Sequence, residues 1–310
     1  MESKEMNRTV VFLDGGLGKI ICSTSVMNKM KEKYGEVILV SGYPEVYWNN
    51  LNVFRTLHFQ HSYLYVDYVK DCGVIKSEPY LTNEYRLQDK HLIEAYCRVL
   101  GIEYNENMKP EIYLSPQEET EAINYKRQIG EYILLQIEGG RFWQNPLQVK
   151  TNKARDYPME LAQKFVDLFN EKYKGKIKII QISLPTESLL KNVINMTNLP
   201  SRLIFPLMKH CESFVVIDSF LNHLSAAFNK KGVVLFSATS PKRLGYLHNT
   251  NLVSDYSCRF CHKTDYVSHL GGNAFSCEKN YECAKFKPEK ILEELSKIID
   301  TCKENSLKGV

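Results

Sequence analysis

The sequence predicts an α/β protein with two parallel sheets, one in each half of its 310 residues. Three observations predict this class: short apolar strands alternate with amphipathic helices, glycines join the first strand to the first helix, and the alternation restarts near residue 132. Strands of parallel sheets are buried on both faces, and apolar runs such as TVVFL and SFVVI are typical of them.

A βαβ unit opens the first half of the chain. Thr9–Leu13 is predicted to be a buried strand, Asp14-Gly-Gly-Leu-Gly18 a turn, and residues 20–34 a helix. Glu36–Val40 is the second strand, and the order of strand, turn, helix and strand indicates a parallel pair. The later elements are two strands or sheet edges at 53–58 and 63–69 and a helix at 89–100.

The second half repeats the alternation. Its predicted strands cover residues 132–137, 176–182, 213–217 and 232–236. Its predicted helices cover residues 158–173, 187–196, 220–228 and 288–301. The polar segment 115–130 carries a helix at 116–128 and is expected to hold the boundary between domains of 1–122 and 123–310. Ligands of open α/β sheets bind beyond the carboxyl ends of the strands, so the candidate residues are sought in the loops after them.

The composition excludes several classes of protein. Hydrophobic residues make up 44% of the chain and charged residues 25%, as in an ordinary globular protein. The formal net charge of +4 permits an anionic ligand but does not demand nucleic acid. Because no apolar run approaches the roughly 20 residues of a membrane span and no secretory leader is visible, a cytoplasmic protein is expected.

The first loop contributes Asp14, Gly16, Gly18 and Lys19 as candidates. Glycines here let the chain turn sharply and let a ligand approach the backbone, and the helix start offers N–H groups to an anion. Asp14 could act as a general base toward a hydroxyl group, and Lys19 could neutralise a phosphate. The alternatives are a turn needed for packing, a helix cap for Asp14 and a solvated lysine.

A second set of candidates follows the predicted strand 213–217. Asp218 and Ser219 would present side chains and N–H groups at a helix start, which suits a diphosphate. His223 lies one helical turn later, and Thr239 lies in the loop after the next strand. The alternative for this turn is an N-cap followed by a packed histidine.

Three further candidates come from the loops after the other strands. Arg155 precedes a predicted helix, where a guanidinium could clamp phosphate oxygens. Glu187 follows a strand and a proline, where a carboxylate could hold ribose hydroxyls, and Gln181 at the end of that strand is included as a ligand-binding residue. The alternatives are an exposed charge for Arg155 and an acid in the first turn of a helix for Glu187.

Four of the nine cysteines lie close together near the end of the chain. Cys258 and Cys261 have the two-residue spacing of a metal knuckle, and Cys277 and Cys283 form a wider pair. Thiolates in a reducing compartment favour structural zinc or iron over disulfides, with His262 and His269 as competing ligands.

Three segments resemble glycosyltransferase family 9, the heptosyltransferase-like enzymes. The segments are GGLGKIICSTSVMNKMKEKYGEVILV, ARDYPMELAQKFVDLF and CESFVVIDSFLNHLSAAFNKKGVVLFSATSPKRLGY. No single motif is specific, but their order and spacing are moderately specific together. The resemblance implies the GT-B fold, in which two Rossmann-like domains with parallel sheets face a cleft. The first domain would lie on the acceptor side, and the second would bind the nucleotide sugar.

The resemblance also implies a reaction and roles for residues. The reaction is an inverting, metal-independent transfer from a nucleotide-diphosphate sugar. Arg155 would stabilise the departing diphosphate, Glu187 would hold the ribose, and the residues from Asp218 to His223 would line the donor. Many family members have an aspartate, the expected base, where this chain has Lys19. Asp14 could substitute for it, with Glu45 as another possibility.

The acceptor stays open at this stage between a glycan, a protein and a hydroxymethylated base in DNA. The segment VSGYPEVYWNN is similar to phage proteins, which would place the enzyme in a bacterium or an infected host cell. Tyr43, Tyr47 and Trp48 in that segment could stack on a sugar or base, or pack at a domain edge. Two alternative hypotheses remain: a GT-B protein that binds a nucleotide sugar without turnover, and a nucleotide-sugar epimerase.

Overall fold

The computed structural model describes residues 8–139, 154–185, 187–261, 277 and 279–308, with side chains described to residue 301. The chain divides into two compact units, Met1–Ser115 and Pro116–Val310. Each unit has one parallel sheet among its described residues. The predicted α/β class with two parallel sheets is therefore confirmed.

The first unit contains a four-stranded parallel sheet in the order β3-β2-β1-β4. Its strands are β1 Arg8–Leu13, β2 Glu36–Ser41, β3 Arg55–His58 and β4 Gly73–Ser77. Its helices are α1 Leu17–Ser23, α2 Met27–Tyr34, α3 Asn83–Arg86 and α4 Leu92–Val99. Leu13 pairs with Ser41 on one side and Ser77 on the other, so the loops after β1, β2 and β4 leave the same edge.

The second unit contains a six-stranded parallel sheet in the order β10-β9-β8-β5-β6-β7. Its strands are β5 Glu131–Gln136, β6 Ile177–Ser183, β7 Ile194–Thr197, β8 Ser213–Ile217, β9 Val233–Phe236 and β10 Thr250–Val253. Its helices are α5 Pro116–Ile129, α6 Met159–Tyr173, α7 Ser201–His210, α8 Phe220–Ala227, α9 Pro241–Leu244 and α10 Pro288–Lys308. A continuous core joins α6 and α10 to the sheet, with Phe165, Phe169 and Leu295 fully buried.

The predicted helix over 20–34 is interrupted at Thr24–Val26, which form a tighter 3₁₀ turn between α1 and α2. Three consecutive hydroxyls explain the break, because Ser23, Thr24 and Ser25 each donate a hydrogen bond of 2.7 Å to the carbonyl three residues earlier. Such bonds compete with the backbone pattern of an α-helix.

Two predicted elements were wrong. Residues 63–69 are not a strand, because Tyr63 has a positive φ of 60° and Tyr65–Val69 form a π-helical turn. The predicted helix at 187–196 is absent, and Ile194–Thr197 are the edge strand β7. Asn192, with a φ of 59°, turns the chain into that strand, and a left-handed residue cannot continue a helix.

Two further strands and three helices escaped prediction, among them the four-residue helices α3 and α9. Strand β4 begins with a glycine and carries a lysine, β10 has only four residues, and α7 contains Pro206. Each departs from the pattern that sequence reasoning uses to recognise its class. Among the described helices, none is long and apolar enough to span a membrane.

Candidate active site

Asp14 in the first unit lies directly after the central strand β1, at the edge where the loops emerge. Its carboxylate is exposed, and Oδ1 accepts a hydrogen bond of 2.7 Å from the Gly15 N–H. That bond orients the side chain at the start of the turn but leaves it accessible to solvent. An accessible, oriented carboxylate is the arrangement that a general base needs.

The two glycines after Asp14 have different reasons to be glycine. Gly15 has a φ of +124°, and a Cβ there would lie 2.6 Å from Lys19 Cδ. Gly16 has an ordinary φ of −72°, and a Cβ there would meet nothing within 4 Å. The backbone therefore requires glycine at position 15, whereas the open space beside Gly16 is compatible with the approach of a ligand. Gly18 lies in the first turn of α1.

Lys19 is neither solvated nor directed at open space. It is 6% exposed, and Nζ lies 2.8 Å from both carboxylate oxygens of Glu78 and 4.7 Å from the centre of the Tyr80 ring. Burial lowers the pKa of Lys19, and the ion pair with Glu78 and the charge of Asp14 oppose that shift. The solvated-lysine alternative is wrong, since Lys19 is half of a largely buried ion pair.

Glu78 is the residue of this edge that sequence reasoning missed. It follows β4 as Asp14 follows β1, and these strands are neighbours. An acidic residue directly after an apolar strand would have been the signal, but the lysine and glycine in GVIKS hid the strand.

The aromatic residues after β2 have separate environments. Tyr47 is 2% exposed and its hydroxyl lies 2.6 Å from Ser23 Oγ, so the packing alternative holds for this residue. Trp48 is 52% exposed and Tyr43 is half-buried. Glu45 lies in the short helical turn Pro44–Tyr47 after β2.

Asp218, Ser219 and Arg155 come together in the second unit, after β8. Asp218 is 3% exposed, and Arg155 Nη1 donates to its backbone oxygen at 3.2 Å and lies 3.7 Å from Oδ2. Ser219 Oγ accepts from the Leu221 N–H at 3.3 Å and donates to Gln136 Oε1 at 2.6 Å. Ser219 is therefore the N-cap of α8, as the alternative interpretation expected, and an arginine lies beside that helix start.

Among the buried side-chain atoms of this unit that have no hydrogen-bond partner in the described residues are Arg155 Nε and Thr239 Oγ1. Thr239 is 4% exposed and follows β9, the strand next to β8. Buried polar groups are nearly always satisfied, because each one left without a hydrogen bond costs about 1–3 kcal/mol. The arrangement can accept an oxygen-rich ligand that supplies the missing bonds.

His223 is 4% exposed, and its Nδ1 lies 2.9 Å from the Tyr246 hydroxyl, with the two rings edge to face. Burial lowers the pKa of His223 to about 4. The imidazole is consequently neutral at physiological pH, and one nitrogen is assigned to the tyrosine. A neutral histidine can serve a donor sugar by hydrogen bonding, but it supplies no charge.

Glu187 and Gln181 support the loop between β6 and β7. Glu187 Oε2 accepts from the Leu184 N–H at 2.8 Å. Gln181 is 1% exposed, its Nε2 donates to the Ser188 carbonyl at 2.7 Å and its Oε1 accepts from the Leu190 N–H at 2.9 Å. Both ends of the Gln181 amide thus hold this loop in shape.

The four clustered cysteines belong to the described residues, whereas His262 and His269 lie outside them. Cys283 is buried, and burial together with Cys258, Cys261 and Cys277 raises the pKa of its thiol to about 12. The other three thiols are therefore close enough to influence Cys283. Within the described part of the chain, no group of three or more such side chains has the spacing of a formed metal site.

The model of glycosyltransferase family 9 (heptosyltransferase) matches residues 170–269. A family 9 glycosyl transferase from Veillonella parvula DSM 2008 is structurally similar, with a TM-score of 0.67, 16% identity and coverage of 96% of this chain and 98% of that one. ADP-heptose LPS heptosyltransferase II from E. coli has a TM-score of 0.66 at 11% identity and covers 96% and 99%. No protein with a curated description matches the sequence.

The iron-containing dodecameric glycosyltransferase TibC from enterotoxigenic E. coli H10407 is also similar, with a TM-score of 0.71 at 12% identity over 96% of this chain and 80% of that one. At these identities the structural likeness shows the fold. Fold and family match together define a glycosyltransferase with the GT-B architecture. The predicted resemblance to glycosyltransferase family 9 is confirmed, since residues 170–269 match the model of that family.

Proposed function

We propose that this enzyme transfers a sugar from a nucleotide-diphosphate donor to a hydroxyl acceptor with inversion at the anomeric carbon. The observation that carries the proposal is the group of Arg155, the Ser219 turn and Thr239, in which Arg155 Nε and Thr239 Oγ1 lack hydrogen-bond partners among the described residues. A diphosphate has the oxygens and the charge that these groups lack.

The roles follow from the contacts in the second unit. Arg155 offsets the negative charge that develops on the leaving diphosphate, and Thr239 and the α8 N–H groups bind its oxygens. Glu187 holds the ribose through its carboxylate, as the family resemblance implies, and Gln181 keeps the supporting loop in place. His223, neutral and bonded to Tyr246, contributes hydrogen bonding to the donor.

Asp14 is proposed as the general base in the first unit. The acceptor oxygen forms a bond to the anomeric carbon while its proton passes to the Asp14 carboxylate. The bond between the anomeric carbon and the diphosphate oxygen breaks, and the diphosphate leaves with the electron pair. General bases of this kind contribute about 10²–10⁴-fold to rate.

The donor and acceptor are proposed as classes to test. TibC in complex with ADP-D-beta-D-heptose is a structural neighbour, at 12% identity and a TM-score of 0.69, so ADP-heptose is the first donor to examine. The acceptors to examine are a glycan, a protein and hydroxymethylated DNA. The alternative, binding without turnover, has the buried Lys19 in its favour, because a family aspartate is expected at that place.

The experiment measures release of nucleoside diphosphate by the purified protein from ADP-heptose and from UDP-, GDP- and dTDP-sugars, with each acceptor class. The proposal expects release from one donor that depends on an acceptor. Asp14→Asn should lower the rate by about 10²–10⁴-fold while leaving donor affinity unchanged. Donor binding by calorimetry without release under any condition would contradict the transferase proposal and support the binding protein.

We also propose that Cys258, Cys261, Cys277 and Cys283 hold structural zinc or iron. The influence of the other three thiols on Cys283 supports this set, and four thiolates suit either metal. TibC, a structural neighbour, is iron-containing. Elemental analysis of purified protein should find about one equivalent of metal, lost in Cys283→Ser. Cys211→Ser, at a buried thiol of another element, is the control; equal metal in all three proteins would contradict the site.

A further inference from the structure

Lys19 lies between two carboxylates at one edge of the first sheet. Asp14 and Glu78 each follow the last residue of neighbouring strands, and those last residues, Leu13 and Ser77, are paired in register. Lys19 reaches back toward this edge from the first turn of α1. Its Nζ would be 3.5 Å from a Cβ at Gly15, the residue next to Asp14.

The Lys19 ammonium is held entirely on the Glu78 side of this edge. It bonds to both oxygens of Glu78 at 2.8 Å, under the ring of Tyr80, and 4% of its side chain is exposed. Glu78 is fixed in turn by the Tyr80 N–H, which donates to Oε1 at 3.2 Å. Asp14 bonds instead to its neighbouring backbone N–H and stays exposed, although its charge reaches Lys19.

We infer that Glu78 is a positioning residue that keeps Lys19 away from Asp14 and so preserves Asp14 as a base. The inference rests on the proposed role of Asp14. A buried ammonium that loses its partner is strongly destabilised and takes the nearest carboxylate. Without Glu78, Lys19 would pair with Asp14, which would lower the basicity of that carboxylate and draw it out of solvent.

The buried tyrosines near this edge carry no charge that could replace Glu78, whereas Glu45 after β2 is acidic. Tyr96 of α4 donates to the Lys19 carbonyl at 3.0 Å, and burial raises the pKa of both Tyr96 and Tyr47 well above the usual value. Tyr80 faces Lys19 through its ring, and Cys22 lies on α1. After β2, burial and Glu45 raise the pKa of Tyr43, with Glu45 as the acidic residue of that segment.

Removing the charge of Glu78 and removing the charge of Lys19 are therefore expected to shift the pH profile of kcat in opposite directions. Glu78→Gln should lower kcat by about tenfold or more and move the acidic limb of the kcat profile down by about one pH unit, because an opposite charge now faces Asp14. Lys19→Met should move that limb up, because two carboxylates then lie side by side. The double variant removes both charges, and the acidic limb of its kcat profile should return close to that of the wild type.

The test is the pH dependence of transfer for wild type, the two single variants and the double variant, with melting temperatures recorded in parallel. Glu36→Gln is the matched control, since it breaks an exposed ion pair with Arg8 at the opposite end of the same sheet and should not move the limb. The inference would be overturned if Glu78→Gln lowered kcat by the same factor in the wild type and in Lys19→Met, and if the acidic limb of the kcat profile did not move. Unchanged turnover in Asp14→Asn would instead overturn the proposed base.

Discussion

The turn after β1 in the first unit and the turn after β8 in the second unit look alike in sequence but differ in how their charges are satisfied. Both connect a central strand to a helix and both begin with an aspartate. In the first turn the cation, Lys19, is bonded to Glu78 on both oxygens. In the second turn the cation, Arg155, is bonded to Asp218 but keeps one N–H without a partner among the described residues.

This difference indicates which turn is prepared for an anion. A cation with a bidentate carboxylate partner gains little from a phosphate, because it would have to give up an equivalent bond. A guanidinium with an unsatisfied N–H, beside a helix start and the unpartnered Thr239 hydroxyl, gains a bond without losing one. We therefore expect diphosphate binding to depend on Arg155 and not on Lys19.

The largest expected effect tests this contrast directly. Arg155→Ala should lower kcat by about 10²–10³-fold, since it removes preorganised charge from the leaving group. Arg155→Lys should restore only part of the loss, because an ammonium lacks the planar fork. Steady-state kinetics with the preferred donor measure both. If Lys19→Met weakens nucleoside diphosphate affinity as much as Arg155→Ala does, the expected difference between the two turns in diphosphate binding is wrong.

His223 is expected to make the stability of the protein depend on pH. The unfolded chain binds the proton at the ordinary pKa of 6.5 and the folded chain only near 4, so the unfolded state holds more protons between those values. Stability is full above pH 6.5 and should decrease by about 3 kcal/mol as the pH falls to 4. Denaturant unfolding of His223→Gln should lack that slope, while His58→Gln, at an exposed histidine, should keep it.

Substitutions of Gly15 and Gly16 in the first turn test stability and substrate binding separately. Gly15→Ala should lower the free energy of unfolding by roughly 1–3 kcal/mol, because alanine is strained at a φ of +124° and its Cβ would overlap Lys19. Gly16→Ala meets open space and should fold as the wild type does. Thermal melting compares them. A loss of transfer in Gly16→Ala with normal melting would show that a substrate approaches this glycine.

The smallest expected effect concerns Thr239. Thr239→Val removes a buried hydroxyl without a described partner, so the unliganded protein should be unchanged or more stable by up to about 1 kcal/mol. Affinity for the nucleotide donor should fall a few-fold, because a bond to an oxygen of the ligand is lost. Calorimetric titration and melting are to be measured on the same preparation. Equal donor affinity in both proteins would remove Thr239 from the donor site.

The strands of both sheet centres could be read from the sequence because burial on two faces demands continuous apolar runs. TVVFL, YILLQ and SFVVI are such runs, and each lies in the middle of its sheet. The edge strand β7 could not be read in this way, because its residues alternate between half-buried and exposed. Its sequence INMT carries too few apolar residues to be separated from a short helix.

Candidate residues next to those central strands were found for the same reason. Asp14, Asp218 and Ser219 directly follow apolar strands, and a parallel sheet must release its loops at one edge. Lys19 was identified as a residue of interest, but its partner was not, since Glu78 is 59 residues away in the sequence. Pairing between distant residues is decided by which strands become neighbours, and local patterns do not encode that.

The sequence by itself determined the class of the protein, the central strands and the glycine-rich and Asp-Ser turns, because these depend on local periodicity and backbone geometry. Only the tertiary structure decided which polar and charged groups are satisfied: that Lys19 is buried against Glu78, that the Gln181 amide supports a loop, and that Arg155 retains a donor. Burial and long-range pairing set the energy of a charge, and both arise only when the sheets assemble.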